Sequence, residues 1–421
     1  MSCNEWKTVK LDDISKTIFS GGTPSTRNEL FWNGNIPWLS SGETRSNFIN
    51  KTEKTITEEG VKNSSTKLAL KGDVVIASAG QGFTRGQVSF CNIDTYINQS
   101  LISIRANNII LNNKYLYYNL NSRYNELRQI SDSHSIRGSL TTKMIKDLAI
   151  KLPPLEEQEK IANILYSLDD KIELNNEMNK TLEEMAQSIF KRWFVDFEFP
   201  NEDGEPYKSS GGEMVDSELG MIPKGWEVRK LGDICDIKGG KRLPKGSILL
   251  DKKTEYPYLR VTDITSGYVN MNTIKYIDAE TREQISRYII EYNDLYISIA
   301  GTIGIVGSIN KKLDKASLTE NMARIICNNI EKHYIKLYLN SDEIKNIIKT
   351  RAVGSTQPKL PLYVIKEIPL LVPSKEIMDK FEKIVLSIYN KVEENLDNIE
   401  DIIELRDSLL PKLMSGEIRV H

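Results

Sequence analysis

Short runs of apolar residues, or of alternating apolar and polar residues, dominate two large blocks of this chain. Such runs, separated by Gly, Asn, Ser and Pro, are typical of β-strands and their turns. They predict strands at residues 73–79, 101–105, 295–300 and 323–327. A helical period at residues 113–128 and 332–349 predicts a short helix in each block. Each block is therefore predicted to be a β-rich α+β domain.

A different pattern follows each block. Mostly apolar residues recur there at alternating intervals of four and three, and we call the line of these residues along one face of a helix the seam. This is the heptad spacing of a coiled coil. The first seam is Ile161, Leu165, Leu168, Ile172, Asn175, Asn179, Leu182, Ala186, Ile189 and Trp193. The second seam, 220 residues further on, is Phe381, Val385, Ile388, Val392, Asn395, Ile399, Ile402, Arg406, Leu409 and Leu413. Matched length and register predict that the two helices pack together. The alternative is two amphipathic helices lying on separate cores.

Three asparagines interrupt these seams, at positions 175, 179 and 395. A polar residue at a seam position commonly fixes the register and the number of partners at a cost in stability. Asn395 would face Asn175 in a parallel pair and Asn179 in an antiparallel pair. The sequence alone therefore leaves the orientation of the two helices open.

An internal repeat spans nearly the whole chain and holds an offset of 220 or 221 residues. The matching segments are Trp6 and Leu11 with Trp226 and Leu231, residues 36–39 with 256–259, 72–80 with 293–301, and 145–148 with 365–368. Chance does not maintain a register over this length. We therefore predict two homologous domains.

The repeat and the two helical patterns divide the chain into five predicted segments. They are a first domain (1–152), a first helix (153–195), an acidic linker (196–222), a second domain (223–373) and a C-terminal helix (374–421). The linker is predicted from its acidic, polar residues and its turn formers. The aromatic run WFVDF at 193–197 either packs in a core or docks on a partner, and core packing is favoured.

Charge is unevenly distributed, although 56 basic and 58 acidic side chains nearly cancel. The first domain carries 19 Lys and Arg against 13 Asp and Glu, and the second carries 24 against 17. The segments between and after them are acidic. Two basic domains are consistent with two surfaces that bind a polyanion. The alternative is that the excess of basic residues is ordinary variation in composition.

The composition limits the class of protein. Apolar residues make up 39% of the chain, and no run of them approaches the ~18 residues that a membrane span needs. The first residues do not resemble a secretion signal. Four scattered cysteines and three histidines have no metal-ligand spacing. We therefore expect a soluble, cytoplasmic protein with reduced structural thiols and no metal site.

The Gly-rich segment AGQGFTRG at 79–86 superficially resembles a nucleotide-binding loop. Strand-like residues follow it where a dinucleotide-binding loop requires a helix, so a hairpin turn is predicted instead. Its copy in the second repeat, residues 300–307, has a different glycine spacing. The sequence contains no G-x-x-x-x-G-K-[ST] loop, no Asn-Pro-Pro-Tyr-like tetrad and no nuclease-like set of acids with a lysine. We therefore predict a protein without catalytic activity.

Several segments together resemble the specificity subunit of type I restriction-modification systems. They are LPPLEEQEKIA at 152–162, LDDKI at 168–172, IFKRWF at 189–194, IPKGW at 222–226 and GSTQPK at 354–359. The likeness covers essentially the whole chain. The second helix begins PSKE at 373–376 and lacks the PPLEEQ form, so the two helices are not expected to contact partners identically.

The resemblance implies that each domain is a target recognition domain for one half of a bipartite, asymmetric DNA sequence. It also implies an antiparallel coiled coil with pseudo-twofold symmetry that acts as a ruler between the half-sites. A helix from Ile161 to Trp193 is ~48 Å long at ~1.5 Å per residue, and one DNA turn is ~34–36 Å, so half-sites about one turn apart are within its span.

The partners implied by the resemblance are double-stranded DNA, modification (methyltransferase) subunits and restriction/translocase subunits. S-adenosylmethionine, ATP and Mg are expected on those subunits. No cofactor is expected in this chain and no membrane partner.

Loop residues with amide, hydroxyl or cationic side chains are the candidates for DNA contact, because such groups bind base edges and phosphates. In the first domain they are Ser78, Gln81, Thr84, Arg85 and Arg137. In the second they are Lys238, Lys241, Arg242, Arg260, Thr302, Arg351, Gln357 and Lys359. For each one the alternative is an ordinary solvated surface residue. Two other functions stay open: an enzyme that uses the glycine loops, and a scaffold without DNA affinity.

Overall fold

The chain forms two units in the computed structural model, which describes residues 6–80, 82–132, 138–265, 267–354, 356 and 358–420. The first unit runs to Leu174 and also includes the segment from Asp401 onwards. The second unit is Asn175–Glu400. The long helices Leu155–Phe194 and Lys375–Ser415 each contribute residues to both units.

The first unit is α+β. Its strands are β1 (Lys7–Lys10), β2 (Ser15–Ser20), β3 (Trp32–Leu39), β4 (Phe48–Ile49), β5 (Lys54–Ile56), β6 (Lys67–Ala69), β7 (Val74–Ala77), β8 (Val88–Cys91), β9 (Thr95–Ile97), β10 (Leu101–Ala106) and β11 (Ala149–Leu152). Its helices are α1 (Glu58–Lys62), α2 (Asn113–Asn121), α3 (Tyr124–Asp132), α4 (Thr142–Lys146) and the first half of α5 (Leu155–Phe194).

Strand β7 lies at the centre of the first unit and is buried on both faces. It belongs to a sheet in the order β2-β10-β7-β8-β4, and a second sheet has the order β5-β3-β9-β6. Val74 and Ile76 face a core that includes α2, whereas Val75 and Ala77 face a core shared with residues of the second sheet. Because both faces are covered, the strand needs an unbroken apolar run, which the sequence supplies.

The second unit repeats this architecture. Its strands are β12 (Met214–Ser217), β13 (Gly220–Pro223), β14 (Glu227–Lys230), β15 (Cys235–Gly239), β16 (Pro257–Leu259), β17 (Ile264–Thr265), β18 (Tyr268–Val269), β19 (Lys275–Tyr276), β20 (Ile289–Ile290), β21 (Leu295–Ser298), β22 (Val306–Ser308), β23 (Ala316–Leu318), β24 (Met322–Cys327) and β25 (Pro369–Val372). Its helices are α6 (Leu231–Ile234), α7 (Ala279–Gln284), α8 (Lys332–Leu339), α9 (Asp342–Thr350), α10 (Leu362–Lys366) and the larger part of α11 (Lys375–Ser415).

Strand order confirms the internal repeat. The order β2-β10-β7-β8 in the first unit returns as β15-β24-β21-β22, and β5-β3-β9-β6 returns as β19-β16-β23-β20. The pairs β1-β11 and β14-β25 also correspond. The two copies differ at one edge, where β4 extends the first sheet and β17 and β18 instead pair with each other. The predicted α+β class with two homologous domains is correct.

Each predicted short helix is in fact two helices. The stretch 113–128 contains α2 and the start of α3, and 332–349 contains α8 and most of α9. At the first break Ser122 Oγ donates to Asn119 O at 2.8 Å, and at the second Ser341 Oγ donates to Tyr338 O at 2.7 Å. At each break a serine side chain thus bonds a carbonyl of the preceding helical turn, and the apolar period continues across the break.

The segment predicted as an acidic linker folds onto the second unit. Strands β12 and β13 form an antiparallel hairpin. Phe199 stacks on Trp226 with ring centroids 4.9 Å apart and on Tyr207 at 4.6 Å. The preceding aromatic run also packs inward, since Trp193 and Phe194 are buried in the same core. Core packing is therefore confirmed for Trp193 and Phe194. The stacking of Phe199 on Trp226 and Tyr207 accounts for the folding of the acidic segment.

Helices α5 and α11 run antiparallel within each unit. In the first unit Glu157 pairs with Arg419, just beyond α11, and Asp169 pairs with Arg406. In the second unit Asn179 contacts Asn395. Every predicted seam residue is buried or half-buried. The polar position Arg406 is stabilised because Asp169 Oδ1, which is buried, accepts from its Nη1 at 2.6 Å. Within the described ranges, none of the helices has the length and apolar character to cross a membrane.

Candidate nucleic-acid interface

The glycine-rich segment is the turn of a hairpin in both repeats. Strands β7 and β8 are antiparallel, as are β21 and β22, and the segment connects each pair. Gly82 and Gly86 have φ angles of 61° and 89°, values that favour glycine because it lacks a Cβ. The predicted hairpin turn is confirmed, and no helix follows the glycines.

Two other loops lie against each hairpin turn. In the first repeat Ser78 N donates to Ser100 O at 2.8 Å, and Leu140 N donates to Ser78 O at 2.9 Å. In the second repeat Ile299 N donates to Asn321 O at 2.8 Å, and Leu360 N donates to Ile299 O at 2.8 Å. The same three segments therefore meet at the same place in both repeats.

We call these sites the loop clusters. The first loop cluster comprises the described residues of 78–86, 98–100 and 138–140. The second loop cluster comprises the described residues of 298–305, 319–321 and 351–360. Of the candidate DNA contacts, Gln81, Arg137 and Gln357 lie outside the residues that the structure describes.

Two candidates in the first loop cluster expose little side chain. Ser78 is buried, and its backbone groups are both used within the cluster. Thr84 is half-buried, and its carbonyl accepts from Gln87 N at 3.0 Å. Both residues shape the turn through their backbone bonds, and their roles as DNA contacts stay predictions.

Arg85 is enclosed by the first loop cluster. Only 8% of the residue is exposed. Its Nη1 donates to Gly138 O at 2.9 Å, and its Nη2 forms an ion pair with Asp132 at the end of α3. A base contact by this arginine would require these bonds to break. In this structure Arg85 fastens the hairpin turn to the neighbouring segment.

Phe83 projects from the tip of the same turn and is 82% exposed. Helix α3 holds the tip, because Tyr124 Oη donates to Phe83 O at 2.9 Å and Arg128 Nη1 donates to Gly82 O at 2.9 Å. Sequence reasoning restricted to polar and cationic groups missed this residue. The signal that could have found it is a large apolar side chain in a glycine-rich turn, where burial is not expected.

The second loop cluster brings together Thr302, Arg351 and Lys359, whose side chains are exposed. Lys359 and Val353 exchange two backbone hydrogen bonds of 2.8 Å, which closes the segment on itself. Lys359 also forms a bridge with Ala300 in the hairpin turn. Two cations and a hydroxyl therefore share one exposed surface, a composition suited to phosphates and base edges.

Lys241 and Arg242 lie beside the second loop cluster. Lys241 N donates to Leu318 O at 2.8 Å, and Arg242 Nε donates to Glu320 Oε1 at 2.6 Å. This bond raises the pKa of Arg242 above its ordinary value. Lys238 is exposed but lies within β15, so it is not the loop residue that we expected.

Arg260 is bound within the second repeat much as Arg85 is in the first. Its Nε and Nη2 donate to the two carboxylate oxygens of Asp263, at 3.1 and 2.6 Å, and Nη2 also reaches Thr273 O at 2.8 Å. Asp263 is fully buried. The guanidinium therefore neutralises a buried carboxylate, and a DNA contact by Arg260 stays a prediction.

A family model matches both repeats of the chain. Residues 4–184 and 223–405 each match the type I restriction modification DNA specificity domain. Among curated proteins, the chain is 29% identical to the type I restriction enzyme MjaIX specificity subunit of Methanocaldococcus jannaschii, with 99% of this chain and 94% of that protein covered. It is 26% identical to the HindI specificity subunit of Haemophilus influenzae, with 99% of this chain and 100% of that protein covered.

A solved structure shares the fold over nearly the full length. It is the crystal structure of a type I restriction-modification system S subunit from M. genitalium, which matches with a TM-score of 0.56. The alignment covers 98% of this chain and 97% of that chain at 18% sequence identity. At this level of identity the match establishes the fold alone.

Proposed function

Because this chain belongs to the family of type I restriction-modification DNA specificity subunits, we propose that its two repeats each recognise one half of a bipartite, asymmetric DNA target. The loop clusters support this proposal most directly. The fold builds them from the same three segments in both repeats, yet their exposed residues differ. Two homologous domains whose loops carry different exposed residues are expected to recognise two different short DNA sequences.

The chain itself is not an enzyme. Specificity subunits of type I systems are the non-catalytic components that recognise DNA, and the family match extends this role to both repeats. Methyl transfer and cleavage therefore belong to partner subunits. We propose that S-adenosylmethionine, ATP and Mg bind those partners, and that the assembly acts in the cytoplasm.

Helices α5 and α11 are the proposed attachment sites for the modification subunits. They also set the gap between the half-sites, since both units share them. Leu168 and Ile172 lie on the seam of α5 and are half-buried. Charged residues at both positions should release the modification subunits or unfold the paired helices. Assembly with unchanged affinity in a folded variant would contradict this attachment.

Methylation profiling of a host that expresses the complete system tests the proposal. The expected result is one asymmetric motif with two specific parts and a fixed gap, and no methylation when this chain is omitted. The purified chain should bind random duplex with a steep salt dependence, because phosphate contacts release counterions. Absence of DNA binding at low salt would favour a scaffold, and methyl transfer by the chain alone would favour an enzyme.

A further inference from the structure

Two of the cysteines face each other across the sheet of the second unit. Cys235 opens β15, Cys327 closes β24, and the antiparallel register pairs them directly. Five positions further along the same ladder, Gly240 N donates to Met322 O at 2.9 Å, so Gly240 and Met322 form a hydrogen-bonded pair. Bonded and non-bonded pairs alternate along an antiparallel ladder, so the cysteines occupy a non-hydrogen-bonded pair. Cα atoms there are ~4.5 Å apart, within the ~4.4–6.8 Å that a disulfide spans.

The first repeat provides an internal comparison. Its corresponding pair, on β2 and β10, is Ser15 with Ala106, which lies just beyond a shift in the strand register after Arg105. The two strands therefore pair in the first repeat without cysteines at these positions. The fold does not require the two thiols, and their juxtaposition is a property of the second repeat alone.

Only one of the two thiols is accessible to a small reagent. Cys235 is 2% exposed and lies in the hydrophobic core. Cys327 is half-buried and lines a pocket of about 350 Å³ together with Lys332 and His333. Cys91, in the first unit, is fully buried. A reagent that enters the pocket would therefore reach Cys327 first. Cys235 is the cross-strand neighbour of Cys327.

We propose that Cys235 and Cys327 form a reversible intramolecular disulfide when the protein meets a peroxide. The sulfur of Cys327 attacks one peroxide oxygen, the O–O bond breaks, and a sulfenic acid and water result. The sulfur of Cys235 then displaces the hydroxyl group from Cys327, and the thiol proton leaves with it as a second water. Two thiols are oxidised to one disulfide, and hydrogen peroxide is reduced to two waters.

The surroundings of Cys327 make this oxidation slow at neutral pH. The neighbouring Cys235 thiol, burial and the nearby Asp294 raise the pKa of the Cys327 thiol, and Lys332 acts in the opposite direction. The thiolate is the reactive form, so the rate should rise with pH. The pair is therefore expected to respond to sustained rather than brief exposure to peroxide.

The disulfide would join the first and last strands of this sheet in chain order. It would close a loop of more than ninety residues, and long closed loops restrict the unfolded chain strongly. Strand β15 also leads to the segment that contains Lys241 and Arg242. Oxidation would thus fix the base of a segment that lies beside the second loop cluster. This inference does not depend on the proposed function.

Peptide mapping of the full-length chain tests the inference. The protein is treated with hydrogen peroxide at pH 8, free thiols are alkylated, and the digest is analysed by mass spectrometry. The expected result is a linked peptide pair containing Cys235 and Cys327 that dithiothreitol separates. The thermal midpoint of unfolding should rise by roughly 5 °C or more on oxidation and return on reduction.

Matched variants make the outcome decisive. Cys91→Ser should leave both the linked peptides and the thermal shift intact, whereas Cys327→Ser should abolish both. Because the wild-type mapping needs no variant, a folding defect in Cys235→Ser would not obscure the result. Sulfinic acid on Cys327 without a link, or a link that involves Cys3 or Cys91, would overturn the proposal.

Discussion

Asn395 donates its side-chain amide to the side-chain oxygen of Asn179 at 2.8 Å, and both residues are buried between the paired helices of the second unit. The contact resolves the orientation that the sequence left open, because Asn179 is the antiparallel partner. A parallel pair would have brought Asn395 to Asn175. The ion pair between Asp169 and Arg406 in the first unit agrees with the same antiparallel orientation.

We expect Asn395→Ala to lower the free energy of unfolding by about 1–3 kcal/mol, because Asn179 Oδ1 would lose its donor in a buried site. Leucine at both positions should instead raise stability, since apolar seam residues pack without desolvating an amide. Urea unfolding followed by circular dichroism measures both changes. Asn176→Ala, at an exposed position of the same helix, is the control and should be neutral. Equal effects at positions 176 and 395 would contradict the assigned role.

Arg85→Ala distinguishes a base-contacting residue from one that holds the loop. A bidentate contact to guanine predicts relaxed specificity at one position of one half-site, worth about 1–3 kcal/mol. The bonds to Gly138 and Asp132 add a second expectation, a lower thermal midpoint. Binding to a panel of single-base variants and thermal unfolding are measured together. Uniformly weaker binding with lost stability would leave Arg85 a structural role only.

Phe83→Ala should weaken specific DNA binding about tenfold while the fold stays intact. An exposed ring on a turn held by α3 is placed to stack on a base or to wedge between base pairs. Ile109→Ala is the matched control, because Ile109 is 81% exposed and follows the opposite end of β10 from the loop cluster. Fluorescence anisotropy with target duplex measures both variants. Equal loss in both, or none in Phe83→Ala, would remove this residue from the interface.

Exchange of residues 1–152 for the same domain of a relative should change one half-site of the methylated sequence. The other half-site and the gap should persist, because they depend on the second repeat and on the helices. Methylation profiling of the hybrid system provides the measurement. A hybrid with both half-sites altered, or with only the gap altered, would contradict independent recognition by the two repeats.

The positions of several strands were predictable from the sequence because the repeat preserves apolar runs at fixed offsets. The runs at 73–79 and 295–300 contain the central strands β7 and β21, which are buried on both faces and are mostly apolar. The breaks at Ser122 and Ser341 were not predictable from periodicity, because the apolar period continues across both of them.

The candidate site was predictable in position but not in detail. The sequence located the hairpin turns, yet it did not show that Arg85 and Arg260 bond within the protein. An arginine in a loop has the same sequence signature whether its guanidinium meets DNA or a carboxylate. The pairing of Cys235 with Cys327 was equally hidden, because it depends on the register between strands that lie far apart in the chain.

The first unit is completed by residues that follow the whole second unit in the chain. Leu413 and Met414 enter the same core as Ile161 and Leu165, and Arg406 neutralises the buried Asp169. During synthesis on the ribosome, the first repeat emerges long before these residues do. Until the second repeat has been translated, the apolar side chains and the carboxylate on this face of α5 therefore remain uncovered. A premature stop codon in the second repeat would therefore leave the core of the first unit incomplete.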